Sequence, residues 1–312
     1  MGKTTLIIIT VLIMSLLAYS TAYAEEGSDP YPNGAESWMV GALPPPGKYF
    51  INFTGYYQGS LRDGNGNTVA ATNVSAWFDA ARYVNVTNNT LWGGQWAWQV
   101  IVPLVNQNLE LNGISGTKTG FGNITVSPLL LGWHSGNWSW AASLVDIIIP
   151  TGAYQSGDPQ QSIGNNYWTF EPVFAFTHLS DTGWEVSAKF MYDINTTNND
   201  FRPASGAPSM SYSSGDAFHM DYVVGKHIGP WTYGISGYYL VQTQDDTLNG
   251  NAISSSLGPW SDGRRGRVFA FGPSVSYASN SGIQVLVQWQ HEIDVENRFS
   301  GNKYWLKLIL PL

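Results

Sequence analysis

The stretch Tyr304-Trp305-Leu306-Lys307-Leu308-Ile309-Leu310-Pro311-Leu312 decides how the chain is read. Successive side chains of a strand point to opposite faces, so Tyr304, Leu306, Leu308, Leu310 and Leu312 share one apolar face, while Trp305, Lys307 and Ile309 share the other. A strand with so greasy a face needs an apolar medium beside it. In a bacterial outer-membrane barrel the last strand pairs with the first, which removes the open edge, and its outer face meets lipid. Pro311 removes one ladder donor from such a strand. An edge strand of a soluble sandwich would show the same nine residues, so the remainder of the chain must discriminate.

Composition favours the membrane. Charged residues make up only 12% of the 312 residues and aromatics 14%, with 14 Trp and 17 Tyr. Soluble domains carry roughly a quarter charged residues, whereas Trp and Tyr favour the bilayer interface. The chain has no cysteine, which excludes a disulfide framework and cysteine-ligated metals. Residues 1–24 read as a secretory signal peptide: Lys3 is the charged start, Leu6 to Leu17 the apolar run, and Ala22-Tyr23-Ala24 the small-x-small cleavage site. Its removal takes away one Lys and no acid, moving the formal charge from −8 to −9. That balance argues against nucleic acid as a partner. Beyond it no apolar run approaches the roughly 20 residues of a spanning helix, so a membrane form must be a closed barrel.

From Lys48 onward the chain divides into twelve stretches of strand character: 48–59, 74–87, 94–106, 121–133, 137–149, 166–178, 184–195, 215–227, 231–243, 266–278, 282–294 and 302–312. The segments between them alternate in length. Those at 60–73, 107–120, 150–165, 196–214 and 244–265 are long and rich in Gly, Asn, Ser and Asp; those at 88–93, 134–136, 179–183, 228–230 and 279–281 are short. Long outer loops and short periplasmic turns produce this alternation. The expected fold is therefore all-β, an antiparallel transmembrane β-barrel of about twelve strands in the outer membrane of a Gram-negative bacterium, at 48–312. Residues 25–47, which lack periodicity and end in Leu43-Pro44-Pro45-Pro46-Gly47, are expected to form a periplasmic or lumenal segment.

The faces agree with a barrel. Trp184, Val186, Ala188, Phe190 and Tyr192 alternate with Glu185, Ser187, Lys189, Met191 and Asp193; Phe218, Met220, Tyr222 and Val224 alternate with His219, Asp221, Val223, Gly225 and His227. The polar set must face the lumen, because a charge facing lipid at mid-bilayer depth costs a few kcal/mol. Trp133, Trp138, Trp168, Trp184 and Trp231, near strand ends, suit interfacial girdles.

Gly41 to Gly47 with Tyr56-Tyr57, then Gly120-Phe121-Gly122-Asn123, Ser127-Pro128, Gly132-Trp133, Asp146, Pro150-Thr151-Gly152-Ala153-Tyr154, Asn165 to Trp168, Gly183-Trp184-Glu185, Asp221 and Gly272-Pro273 occur in an order that resembles the meta-pathway of phenol degradation family of outer-membrane proteins. The chain departs from that pattern at Asn123, where Asp is expected. The resemblance implies a transporter-like barrel for aromatic or hydrophobic compounds. The carboxyl end is also similar to the assembly signal of such barrels, although it carries Leu312 in place of a terminal aromatic; this implies the outer-membrane barrel assembly machinery as a partner.

The lumen and substrate-path candidates are Asp146, Glu171, Glu185, Lys189, Asp193, His219, Asp221, Arg267, Glu292 and Lys307. Such groups either set the selectivity of a water-filled path or fill a narrow barrel with ion pairs. Asp63-Gly64-Asn65-Gly66-Asn67 reads as a hairpin loop, since it lacks the downstream acid of an EF-hand. The five His residues, His134, His178, His219, His227 and His291, show no Ser-His-Asn lipase signature, so no catalytic set, cofactor site or metal site is expected. The function expected is passive uptake of small hydrophobic or aromatic compounds, with lipid and those solutes as partners; the alternative is a non-conducting structural or surface-binding barrel.

Overall fold

The computed structural model describes residues 29–312; the expected signal peptide at 1–24 lies outside the described residues. Twelve antiparallel strands form the barrel: β1 Gly47–Arg62, β2 Thr68–Leu91, β3 Gly94–Leu111, β4 Ile124–Ser135, β5 Trp138–Ile149, β6 Thr169–Leu179, β7 Trp184–Asn195, β8 Ala217–Ile228, β9 Trp231–Gln242, β10 Arg267–Ala278, β11 Gln284–Glu296 and β12 Phe299–Pro311. Neighbours in sequence are neighbours in the wall, and β12 pairs with β1 from Tyr49↔Pro311 to Leu61↔Phe299, which closes the sheet on itself. Closure satisfies the edge groups that lipid would otherwise leave without partners.

The last strand behaves as its pattern demands. Trp305 and Lys307 are buried inside, while Tyr304 and Leu306 are exposed on the outer wall at 44% and 46%. The same alternation holds on β7, where Glu185, Ser187, Met191 and Asp193 are buried and Trp184 and Val186 point out. Trp138, Trp168, Trp184 and Trp231 are exposed near strand ends. No helix among the described residues is long and apolar enough to cross a membrane, which is silent on strands.

Two expected loops turn out to be largely strand. The ladders of β1 and β2 continue up to Arg62↔Thr68, leaving a connection of only 63–67, and the segment Ile114–Phe121 pairs back onto β3 from Leu111↔Ile114 to Leu104↔Phe121. A Gly- and Asn-rich composition marks a turn, but it does not prevent flanking Thr, Val and Ala from extending a hairpin. Within that first turn Asp63 Oδ1 accepts from the Asn65 and Asn67 amides, each at 2.8 Å, so its carboxylate is taken up by its own loop. Above β7 to β10, Asn198–Phe201, Met210–Ser213, Thr247–Leu248 and Asn251–Ala252 form a small separate sheet. It is tied down by buried Asp246, which accepts from Tyr212 Oη at 2.5 Å and the Gly215 amide at 2.9 Å.

The fold leaves one end of the barrel with short turns and the other with long loops. At the short-turn end, Ile51, Phe53, Val84, Val86, Ala97, Leu130, Ala141, Ala175 and Trp305 make an apolar cluster inside the wall. Ala35, Val40 and Leu43, from the segment preceding β1, complete it.

Candidate functional site: a plugged lumen with an apolar cavity

Residues 29–46 run through the inside of the barrel. Asp29 pairs with Arg298, in the β11–β12 turn at the long-loop end. Halfway, the Gly34 carbonyl accepts from Gln288 Nε2 at 2.5 Å and Gln290 Nε2 at 3.1 Å, and the Asn33 carbonyl from Lys303 Nζ at 2.9 Å. Near the short-turn end Trp38 Nε1 donates to Ser274 Oγ at 2.9 Å, Met39 N to Glu185 Oε1 at 2.6 Å and Gly41 N to Thr177 Oγ1 at 3.0 Å. An irregular segment buried in this way needs wall side chains to satisfy its backbone, and the polar lumen face supplies them.

Two glycine positions make the fit possible. Gly34 has φ +85°, and a Cβ there would collide with the Gln290 carboxamide and the Tyr238 ring. At Gly234 on β9 an added Cβ would lie 2.6 Å from Trp38 Cη2, so the missing side chain is what admits the indole.

Charge is arranged to hold the plug. Asp221 lies fully buried on β8 and accepts from Gly34 N at 2.7 Å, Glu36 N at 3.0 Å and Tyr31 Oη at 2.8 Å. Glu36 sits between Arg82 and Lys307 and pairs with both. Burial by itself would raise the Glu36 carboxyl, but Lys307 and Arg82 outweigh it and hold the group at about 2.

Nine of the ten candidates lie on the inner side of the wall, and the plug contacts only some of them. Asp221, Glu185 and Lys307 bind it directly, and Lys189 Nζ lies 4.2 Å from the Tyr31 ring centroid. Glu185 also accepts from His227 Nε2 at 2.5 Å. Glu292 accepts from Tyr57 Oη at 2.8 Å and the Gly301 amide at 2.7 Å. Asp146 accepts from Ser143 Oγ at 2.5 Å. Glu171, Asp193 and His219 form a separate buried group.

Arg267 departs from the expectation. It begins β10 at the long-loop rim, and its guanidinium pairs with Asp294 at 2.9 Å and Glu296 at 2.8 Å, with 37% of the side chain exposed. Val268 and Ala270, not Arg267, face inward. Arg267 shares the outward parity of exposed Phe271, so the alternation of β10 itself places it off the lumen face. Lumen groups that sequence reasoning overlooked include Tyr31, Glu36, Arg82 and Lys303. Lys303 shares the parity of Trp305 and Lys307, and Glu36 is the only charged residue between Pro30 and Gly47; these were the available signals.

The plug is held mainly by β6 to β12 and leaves space on the opposite side. There a cavity of about 330 Å³ lies between Tyr31, Ala35 and Glu36 and the wall residues Phe53, Phe78, Ala80, Ile101, Val105, Ile148 and Trp305. Beside it the wall ladder is imperfect. Pairing of β4 with β5 skips from Val126↔Ile147 to Leu130↔Ser143, and that of β5 with β6 shifts between Ser143 and Asp146. Pro128 and Pro172, which have no amide to donate, lie in this band.

A sequence profile described as "Putative MetA-pathway of phenol degradation" matches residues 58–308. Among solved structures, an outer membrane channel from Pseudomonas putida F1 superposes with a TM-score of 0.75 at 15% identity, covering 89% of this chain and 99% of that one. The toluene transporter TodX of Pseudomonas putida covers 94% of its own length and 93% of this chain, at 9% identity and a TM-score of 0.44. The translocator domain of the autotransporter NalP from Neisseria meningitidis gives 0.48 at 9% identity, over 86% of this chain and 90% of that one. The first of these is similar in fold. No curated protein matches the chain.

Proposed function

The chain belongs to this phenol-degradation family of barrels, and from that premise we propose that it is an outer-membrane channel for passive uptake of small hydrophobic or aromatic compounds. The observation that carries the reading is the cavity between the plug and β1 to β5. Its volume, about 330 Å³, falls in the range of small-molecule sites, and Phe53, Phe78, Ile101, Ile148 and Trp305 give it an apolar side facing a charged one that includes Glu36, Arg82 and Lys189. Against the apolar side a benzene-sized solute would exchange water for apolar contact. The imperfect ladder at Pro128 and Pro172 favours release of such a solute sideways toward the bilayer over a water-filled path past the plug. The likeness in fold to a solved outer membrane channel supports this reading over an enzyme. Export by a signal peptide cleaved after Ala24 and insertion by the barrel assembly machinery belong to the same proposal, and the N-terminal mass of the membrane-extracted protein tests the first.

The decisive experiment pairs planar-bilayer conductance with uptake of a radiolabelled monoaromatic compound into proteoliposomes. Uptake that saturates, and that falls about tenfold when Ala80→Phe fills the cavity, supports the channel. A folded, heat-modifiable barrel with neither conductance nor uptake refutes it. That result favours a second reading, a non-conducting structural barrel, which the hydrogen-bonded passage of residues 29–46 along the lumen supports.

A further inference from the structure

Behind the plug, Glu171 on β6, Asp193 on β7 and His219 on β8 bring one ligand atom each to within 4.8 Å of one another. His219 Nε2 lies 3.4 Å from Glu171 Oε2 and 3.3 Å from Asp193 Oδ2. These separations exceed the roughly 2.7–3.2 Å of N–H···O bonds. Among the described residues neither ring nitrogen of His219 has a hydrogen-bond partner, and the same is true of Glu171 Oε2 and Asp193 Oδ1, although all three side chains are almost completely buried. Buried polar atoms are nearly always satisfied, so His219 Nε2 and Glu171 Oε2, 3.4 Å apart and both left open, indicate something that the protein groups alone do not supply.

We propose that Glu171, Asp193 and His219 form a binding site for a divalent transition-metal ion of the Zn²⁺ class. An ion about 2.0–2.2 Å from each tetrahedral ligand needs donor-to-donor separations of roughly 3.3–3.6 Å. The two Nε2-to-carboxylate distances, 3.4 and 3.3 Å, meet that requirement without movement of the strands. Charge points the same way. Two carboxylates and a neutral imidazole around a divalent cation sum to zero. One imidazole nitrogen with two carboxylate oxygens suits a borderline ion such as Zn²⁺.

Access and purpose follow from position. Glu171 lines the cavity, which gives an ion entry from the lumen. The Tyr31 ring, 5.2 Å from the His219 ring, covers the site together with Val173 and Met191. The three ligands come from adjacent strands beside the irregular β5–β6 ladder, so a bound ion cross-links β6, β7 and β8 next to it. Glu171 also opposes Asp146 in register, and a cation relieves the repulsion between these neighbours.

The test uses the full detergent-purified barrel, stripped with EDTA and titrated with ZnCl₂ by calorimetry, with zinc X-ray absorption on the product. One equivalent should bind, with a shell of one imidazole and carboxylate oxygens. Asp193→Asn and His219→Gln should each weaken binding by more than about tenfold while heat-modifiability on gels still reports a folded barrel. Absence of stoichiometric binding by the wild type overturns the site, as does binding unchanged in both variants. Should a variant fail to fold, the wild-type absorption spectrum decides alone: an all-oxygen shell, or one built from several imidazoles, overturns it.

Discussion

Gly34 and Asp221 are separated by 187 residues, yet the amide of the first donates to Oδ1 of the second at 2.7 Å. The other oxygen of Asp221 takes the Glu36 amide and the Tyr31 hydroxyl, so one carboxylate on β8 organises the middle of the plug. All the groups involved are buried or nearly so, and none could turn to water if its partner were lost.

Asp221→Ala should therefore release the plug more than it harms the wall. Charge-assisted hydrogen bonds contribute roughly 1.5–3 kcal/mol each, and the variant leaves three donors unsatisfied. The expected result is a barrel that still closes but conducts more, with residues 29–46 newly open to protease. Unchanged conductance and unchanged protection would show that Asp221 is not the anchor.

The Glu36 pairing predicts a pH response. Its folded value, about 2, lies below the ordinary 4.5, so the carboxylate adds stability that is complete above about pH 4.5 and is lost as pH falls towards 2. Conductance of the wild type should be flat from neutral pH down to about 4.5 and rise below it. Glu36→Gln should remove that rise and raise the conductance at neutral pH, because Arg82 and Lys307 then face each other unpaired.

Leu306 faces outward on β12, 46% exposed, with Lys307 beside it facing in. Leu306→Arg should reduce the stability of the inserted barrel by roughly 2–4 kcal/mol, as expected for a charge facing lipid at mid-depth. Urea titration in lipid vesicles reads this directly. A change near zero would place Leu306 away from the bilayer.

Arg267→Ala should do little. Its ion pairs with Asp294 and Glu296 are solvent-exposed, and such pairs contribute at most about 1 kcal/mol. Stability and conductance should both stay close to wild type; a large drop in conductance would return Arg267 to the solute path.

The barrel was legible in the sequence because it rests on a local rule. Alternation of faces on β7, β8 and β12, and the spacing of the turns, are written in consecutive residues, and all twelve strands fall where the pattern puts them. The plug was not legible for the opposite reason. Residues 29–46 have no period, and their partners, Asp221, Glu185, Gln288 and Lys303, lie well over a hundred positions away. Parity named His219, Asp193 and Glu171 as inward-facing, but their convergence depends on the register between three strands, which no single strand encodes.

The route of residues 29–46 also fixes a sequence of events. Their binding partners belong largely to β6 through β12, so this early part of the chain has nothing to hold it until the late strands exist. Contacts of such long range form slowly, after the intervening chain has been ordered. What is synthesised first is therefore held last, because its hydrogen bonds become available only as the strands made after it join the wall.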